Sequence, residues 1–237
     1  MGDSAEVSWK TTHMKILVIN GNPKQGGFTA EALAIVSSYL QEKGVEVINL
    51  RLADADIKEC TGCFQCLKTG RCTLTDDMDN IRQTMLEVDG FAVGSPVRNG
   101  LTTACYKRFY ERITYLLGFT LALEDKYTLA VSSVGFMGGK AVNRKLVALQ
   151  DVCHTRLSDY IFCKVGIPAR MRAVDMKQKL EKAAEKLIYS IKKRSSRSFS
   201  ERILFAIDRI VMRKFMFDKN PELYTYVIKC WKKKGYM

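Results

Sequence analysis

Apolar and polar positions along this chain follow two alternating rhythms. Met14 to Asn20 reads MKILVIN, a short apolar run rich in branched side chains, which predicts a strand buried on both faces. A glycine-rich stretch, Gly21 to Thr29, leads from it to Leu33, Val36 and Leu40, spaced along one face of a helix. Val45 to Leu50 (VEVINL) predicts a second strand. Asp76-Asp77-Met78 opens a helix running to about Val88, its two aspartates read as cap residues rather than as an acid/base pair. Gly90 to Ser95, Lys126 to Ser133 and a run near Tyr160 to Val165 predict strands three to five. This alternation over residues 14–174 implies an α/β domain built on a doubly wound, five-stranded parallel sheet.

Beyond residue 174 the rhythm becomes purely helical. Asp175 to Lys193 carries Leu180, Ala183, Ala184, Leu187, Ile188 and Ile191 on one stripe, and Ser195-Ser196-Arg197-Ser198 breaks it. Glu201 to Phe217 then sets Ile203, Phe205, Ile207, Ile210, Val211, Phe215 and Met216 among Arg202, Arg209, Arg213 and Lys214. Such a helix is too apolar to stand alone in water, so residues 175–237 are expected to form an extension packed on the sheet domain or a sister subunit, in preference to a membrane surface. Residues 1–13 have no such pattern and read as a flexible N-terminal extension, with His13 a surface residue.

Charge sharpens this division. The net charge is +13, and from Lys177 to Met237 there are 17 Lys and Arg against 6 Asp and Glu. A basic tail can attract nucleic acid, acidic lipid, an acidic partner or a phosphorylated dinucleotide, but regular apolar positions interrupt the charges and no nucleic-acid motif is present, which favours a solvated helical face. Residues 1–13 do not read as a secretory signal, and no run of about eighteen apolar residues occurs, so a cytoplasmic protein is expected. In that compartment eight cysteines argue for metal or redox use rather than a disulfide framework.

The chemistry gathers in the segments after the strands. In a parallel sheet these all emerge at the carboxyl edge, where open α/β sheets bind ligands, so four unusual segments share one rim. The first places Asn22, Lys24, Gly27, Phe28 and Thr29 at a helix N-terminus, whose free N–H groups and dipole suit a phosphate; Thr29 is expected to cap the helix and offer its hydroxyl, and Lys24 to add charge. Neither G-x-x-x-x-G-K-[ST] nor G-x-G-x-x-G is present. Ser95, Pro96, Val97, Arg98, Asn99 and Gly100 after strand three, and Ser133, Gly135 and Gly138 after strand four, suit a flat ring approached closely by backbone N–H groups, and FMN fits the whole set best. The remaining segment, after strand two, holds Cys60, Cys63, Cys66 and Cys72 in the spacing C-x2-C-x2-C-x5-C, within residues 57–73. Four such thiols suit an iron–sulfur cluster or a tetrahedral zinc, or two pairs forming disulfides or a redox dithiol. Cys105, Cys153, Cys163 and Cys230 read as small buried apolar residues, and the Cys153–His154 neighbours lack a third catalytic partner.

These motifs also carry a family resemblance. GNPKQGGFT resembles the G-S-P-R-x-x-S-x-T phosphate loop of NAD(P)H-dependent FMN reductases, and SPVRNG their S-P-V-Y-x-G flavin loop. The cysteine pattern followed by Asp76-Asp77-Met78 is similar to that of the iron–sulfur flavoprotein branch of this flavodoxin-like group, and Trp231 to Gly235 is weakly similar to its C-terminal end. Covering about residues 14–165, the resemblance implies a flavodoxin-like fold, FMN, a [4Fe-4S] cluster on the four clustered cysteines, and homo-oligomers, dimers or tetramers, in which one subunit's cluster can lie near another's flavin. It implies an oxidoreductase passing electrons between FMN and the cluster, with NAD(P)H or a redox partner protein at the other end and no side chain acting as nucleophile or general acid. Arg98 departs from the family's tyrosine and Gly27 from its first serine. Two further readings stand beside this one: a metal-free NAD(P)H-dependent reductase of flavin, quinone or nitro compounds with the cysteine loop as a lid, and a zinc protein binding a partner or nucleic acid.

Overall fold

The structure, a computed structural model, describes residues 14–136, 138–167 and 169–237; the expected N-terminal extension and His13 lie outside the described residues. In chain order the regular elements begin with β1 (Lys15–Asn20), α1 (Phe28–Glu42), β2 (Glu46–Arg51), α2 (Gln65–Thr69) and α3 (Met78–Glu87). They continue with β3 (Gly90–Arg98), β4 (Leu101–Thr102), α4 (Ala104–Ile113), β5 (Tyr127–Val134), α5 (Lys140–Val147), α6 (Gln150–Cys153) and β6 (Arg156–Lys164). The extension contributes α7 (Lys177–Lys192), α8 (Phe199–Val211) and α9 (Thr225–Lys233).

Five strands pair in parallel in the order β2-β1-β3-β5-β6, and β4 adds a short antiparallel partner to β3. This is the flavodoxin-like order, with its reversal between β1 and β3. Alternation along β1 feeds both faces: Ile16 and Val18 pack with α1 and α7, while Leu17 and Ile19 pack with α3 and α4. No helix among the described residues is long and apolar enough to cross a membrane.

Three boundaries differ from the expected ones, each for a physical reason. β3 does not stop at Ser95 but runs to Arg98, because Val97 pairs with both Val134 and Thr102. β6 starts at Arg156 rather than near Tyr160; it is an edge strand, and its polar Arg156, Ser158 and Asp159 hide it from an apolar count. The cysteine segment, for which the sequence reading gives no helix, contains α2. A helix missing from the sequence reading, α4, is capped by Thr103, whose hydroxyl accepts from the Tyr106 N–H at 3.4 Å, and is followed by a π-helical turn at Thr114–Gly118.

The extension is divided in its packing. The predicted stripe of α7 closes one face of the sheet, with Leu180, Ala183, Ala184, Leu187 and Ile188 buried. α9 instead reaches the cysteine segment: Leu67 of α2, Leu121, Phe217, Tyr224, Val227 and Trp231 form a third apolar cluster. Trp231 Nε1 donates to the Phe119 carbonyl at 2.8 Å, and Lys234 Nζ donates to the Leu121 carbonyl at 3.0 Å. Gly70, which ends α2 at φ 78°, lies so close to Tyr226 that a Cβ there would sit 2.5 Å from the ring. The inner side of α8 touches the sheet domain through Phe205 against His154, but among the described residues nothing covers its outer face. Ile203, Leu204, Ile207, Ile210 and Val211, with Phe199 and Phe215 at either end, are 44 to 79 % exposed.

Trp231 is the largest fully buried side chain of the third cluster. Trp231→Ala is expected to destabilise the protein by about 3–5 kcal/mol. Proteolysis should then begin in the cysteine loop as well as in the extension, and a denaturation midpoint equal to wild type would refute the coupling.

Candidate functional site

The first site is a cleft of about 920 Å³ at the carboxyl edge of the sheet. Its walls include Asn22, Lys24, Gly27, Phe28 and Thr29 from the first segment, Pro96 to Gly100 from the third, and Ser133, Gly135 and Gly138 from the fourth. Of the fourteen residues expected there only Ser95 is outside the lining; it is buried within β3, its hydroxyl donating to the Pro96 carbonyl at 3.1 Å.

Within the first segment the backbone is braced without a ligand. Asn22 Nδ2 donates to the Gly26 carbonyl at 3.0 Å, Asn22 Oδ1 accepts from the Lys24 N–H at 3.2 Å, and Arg51 Nη2 donates to the Pro23 carbonyl at 2.8 Å. Gly27 is the N-cap of α1 at φ 105° and offers no side chain to the helix end. The first N–H groups of α1 therefore face the cleft without a cap. Thr29 corrects the sequence expectation: it does not cap the helix. It lies inside the first turn, buried, and its hydroxyl pairs with Ser133 Oγ at 2.7 Å, tying α1 to the end of β5.

The opposite lip is a hairpin rather than the expected loop. Asn99 (φ 51°) and Gly100 (φ 77°) make the two-residue turn between β3 and β4, with Arg98 paired to Leu101 and exposed at the lip. The sequence reading also missed the segment after β6. Its Gly166 N–H donates to the Gly135 carbonyl at 2.8 Å, and Ile167 packs against Gly135, so Val165 and Ile167 become an apolar wall.

The second site lies under the segment after β2. Cys60, Cys63, Cys66 and Cys72 line one small cavity with Phe64, Tyr115 and Arg112, and all four are free thiols. Its free space is about 20 Å³, enough for roughly one water. Among the described residues, no three His, Cys, Asp or Glu side chains form a group that could hold a metal ion as they stand. The donor set itself, four thiols with no nitrogen or carboxylate among them, fits iron–sulfur chemistry. Cys63 is exposed, and its thiol is held below the ordinary value chiefly by the Gln65 backbone N–H and then by Thr73. Burial pushes Cys66 up to about 11, helped by repulsion from Cys72, Cys60 and Cys63.

Arg112 is the residue here that sequence reasoning did not find. Its side chain and that of Asp76 are each 1 % exposed, and the two form a bidentate ion pair at 2.6 and 3.1 Å. Burial raises the Asp76 carboxyl, but the Arg112 guanidinium and the Lys58 and Met78 N–H groups outweigh it and hold the group below its usual value. The expected cap role of the two aspartates is thus corrected. Asp76 does accept from the Met78 N–H at 3.1 Å, yet its main partner is Arg112, and Asp77 accepts from the Asp56 N–H at 2.7 Å rather than capping α3. One of two arginines in an amphipathic helix, Arg112 gives no sequence sign of a carboxylate 36 residues away. As expected, Cys105, Cys153 and Cys163 are buried, whereas Cys230 is only partly so.

Comparison with known proteins narrows what these two sites belong to. An iron–sulfur flavoprotein of Methanocaldococcus jannaschii is 36 % identical over 109 residues, covering 46 % of this chain and 56 % of the relative, so the match spans little more than half of that protein. An iron–sulfur flavoprotein of Clostridioides difficile is 26 % identical over 230 residues, 94 % of this chain and 99 % of the relative. Among solved structures, an FMN-dependent NADH-azoreductase from Bacillus anthracis superposes with a TM-score of 0.54 at 15 % identity, over 73 % of this chain and 99 % of the other, a likeness of fold. The family model described as NADPH-dependent FMN reductase matches residues 14–157, more than half of the chain, including the first, third and fourth segments that line the cleft. The chain is therefore a member of the NADPH-dependent FMN reductase family of flavin oxidoreductases.

Proposed function

We propose that this protein is an FMN-dependent oxidoreductase whose clustered cysteines carry a [4Fe-4S] cluster, with NAD(P)H or a redox partner protein completing the electron path. The observation that carries the proposal is the linkage of the two sites by α4. At its first turn Thr103 Oγ1 donates to the Gly21 carbonyl beside the phosphate segment at 2.6 Å, and at its last turn Arg112 lines the thiol cavity.

The cleft suits FMN in size and in donor set. Its volume lies within the range of cofactor pockets, and uncapped helix N–H groups at Gly27 and Phe28 suit a terminal phosphate. Arg98 and Asn99 at the lip would face the polar edge of the ring, and Val165 and Ile167 one of its apolar sides. Bound flavin would supply the junction between two-electron hydride chemistry and one-electron chemistry. The chain's part is placement and exclusion of water: the Thr29–Ser133 bond keeps the phosphate end of α1 against β5, and the β3–β4 hairpin closes the other side.

Cys60, Cys63, Cys66 and Cys72 would be the cluster ligands. The relatives' names, iron–sulfur flavoproteins, support this reading, and seating a cluster requires the narrow cavity to widen. Residues 57–64, which carry Cys60 and Cys63, form neither helix nor strand and can move apart without breaking either. That same narrowness favours the second reading, a metal-free reductase in which the loop is a lid. A tetrahedral zinc on the same four thiols is the third reading, and the relatives' names, iron–sulfur flavoproteins, favour a cluster over it.

Self-association belongs to the same proposal. The exposed side of α8 presents a run of large apolar side chains of the kind that marks an interaction surface. Ile203, Ile207 and Ile210 follow the three-and-four spacing of a helix seam, which fits a second copy of this chain.

Three outcomes are expected. Protein purified without oxygen should contain FMN, iron and sulfide; Thr29→Val, which breaks the bond to Ser133, should weaken FMN binding by about fivefold or more in a fluorescence titration. Flavin without iron would select the metal-free reading, and a colourless protein that takes up no FMN would overturn both. Ile207→Glu should lower the number of subunits measured by light scattering, and an unchanged mass would remove α8 from the interface.

A further inference from the structure

Arg112 and Asp76 join three segments that are far apart in the chain. Nη1 and Nη2 engage both carboxylate oxygens, and Nη1 also donates to the Lys58 carbonyl at 2.9 Å. Asp76 in turn accepts from the Lys58 N–H at 3.0 Å and from the Met78 N–H at 3.1 Å. Lys58 precedes Cys60 by two positions and Asp76 follows Cys72 by four, so the pair draws both ends of the thiol loop onto the last turn of α4. Lys58 Nζ to the Thr75 carbonyl at 2.8 Å, and the reciprocal bonds between Asp56 and Asp77, continue the same seam outward.

Stability alone does not explain this arrangement. A buried ion pair is often no better than apolar groups of the same volume, because desolvation offsets the attraction between its members. The pair is also asymmetric. Arg112 lines the thiol cavity whereas Asp76 does not, which turns the positive end of the pair toward the sulfurs. The Arg112 Nε–H is buried and has no protein partner. A lysine could not replace it, since one point charge cannot engage both oxygens of Asp76 and the Lys58 carbonyl while facing the cavity.

We propose that Arg112 is a positioning residue for the four thiols: its pair with Asp76 holds Cys60 and Cys72 in a single set, and its guanidinium supplies positive charge to the anionic centre that the set carries. The first half stands on the geometry of the thiols themselves; the second rests on the cluster proposed above.

The test pairs Asp76→Leu with Arg112→Met, which replaces the ion pair by apolar groups and should keep the fold, where Arg112→Gln alone would leave a buried carboxylate unpaired. In metal-free protein, alkylation by iodoacetamide read by mass spectrometry should speed up at Cys60 and Cys72 by about fivefold or more, with the already exposed Cys63 unchanged. After reconstitution with iron and sulfide, the double variant should hold less iron per chain. Its centre should have a lower midpoint potential, because a nearby cation favours the more negative, reduced state. A folded double variant with wild-type alkylation rates and a wild-type potential would overturn the proposal. Wild-type protein that takes up no iron would defeat the cluster and the charge role with it, leaving the alkylation rates to decide the positioning role separately. Should the double variant fail to fold, Arg112→Lys keeps the charge but loses the bidentate clasp; faster alkylation of Cys60 and Cys72 is expected there too, and wild-type rates would overturn the proposal.

Discussion

Parallel strands send every following segment out of the same edge of the sheet, and this constraint governs the rest of the structure. Because β1 is flanked by β2 and β3, the chain must leave β1 in one direction and β3 in the other, which opens a crevice between them. The phosphate segment and the β3–β4 hairpin form its two sides. A buried Thr29–Ser133 bond keeps the start of α1 against the end of β5, 104 residues away, so the crevice has a shape before any ligand enters.

The cysteine segment emerges at that edge too, but its placement depends on elements far along the chain. α4 is the link. Ten residues long, or about 15 Å, it is tied to the Gly21 carbonyl at its start and to Asp76 at its end. Leu67 then anchors α2 in the cluster around Trp231, so the thiols are held from one side by the flavodoxin-like core and from the other by the C-terminal extension. The basic tail thereby has a structural use, to which Lys234 contributes through Leu121 and Glu124.

What could be read from the sequence follows physical locality. The strands of the sheet interior announced themselves because burial on both faces requires continuous apolar runs, as in β1 and β5, and the stripe of α7 was legible for the matching helical reason. The cleft was legible because glycine, asparagine and helix starts follow strand ends by local rules. β6 is half hidden by the polar residues an edge strand tolerates, and Asn99-Gly100 does not stand out as a hairpin turn because the same kind of dipeptide occurs at Asn20-Gly21 and Asp89-Gly90, where no hairpin forms. Arg112 and the Trp231 cluster were illegible, since a buried ion pair and an aromatic core join residues whose separation no periodicity records.

The two kinds of site also differ in how they are held. The cleft is braced by hydrogen bonds from Asn22, Arg51 and Thr29 that are complete without a ligand, and needs only a ligand of the right shape. The thiol cavity is closed nearly to nothing, yet it has a buried guanidinium at its wall and an irregular, exposed segment carrying Cys63. The Arg112–Asp76 pair fixes Lys58 and Asp76 at the two ends of the loop, while residues 59–64 between them form neither helix nor strand. Such a loop can be shut when empty and still form a defined site when filled, which a loop rigid throughout could not do.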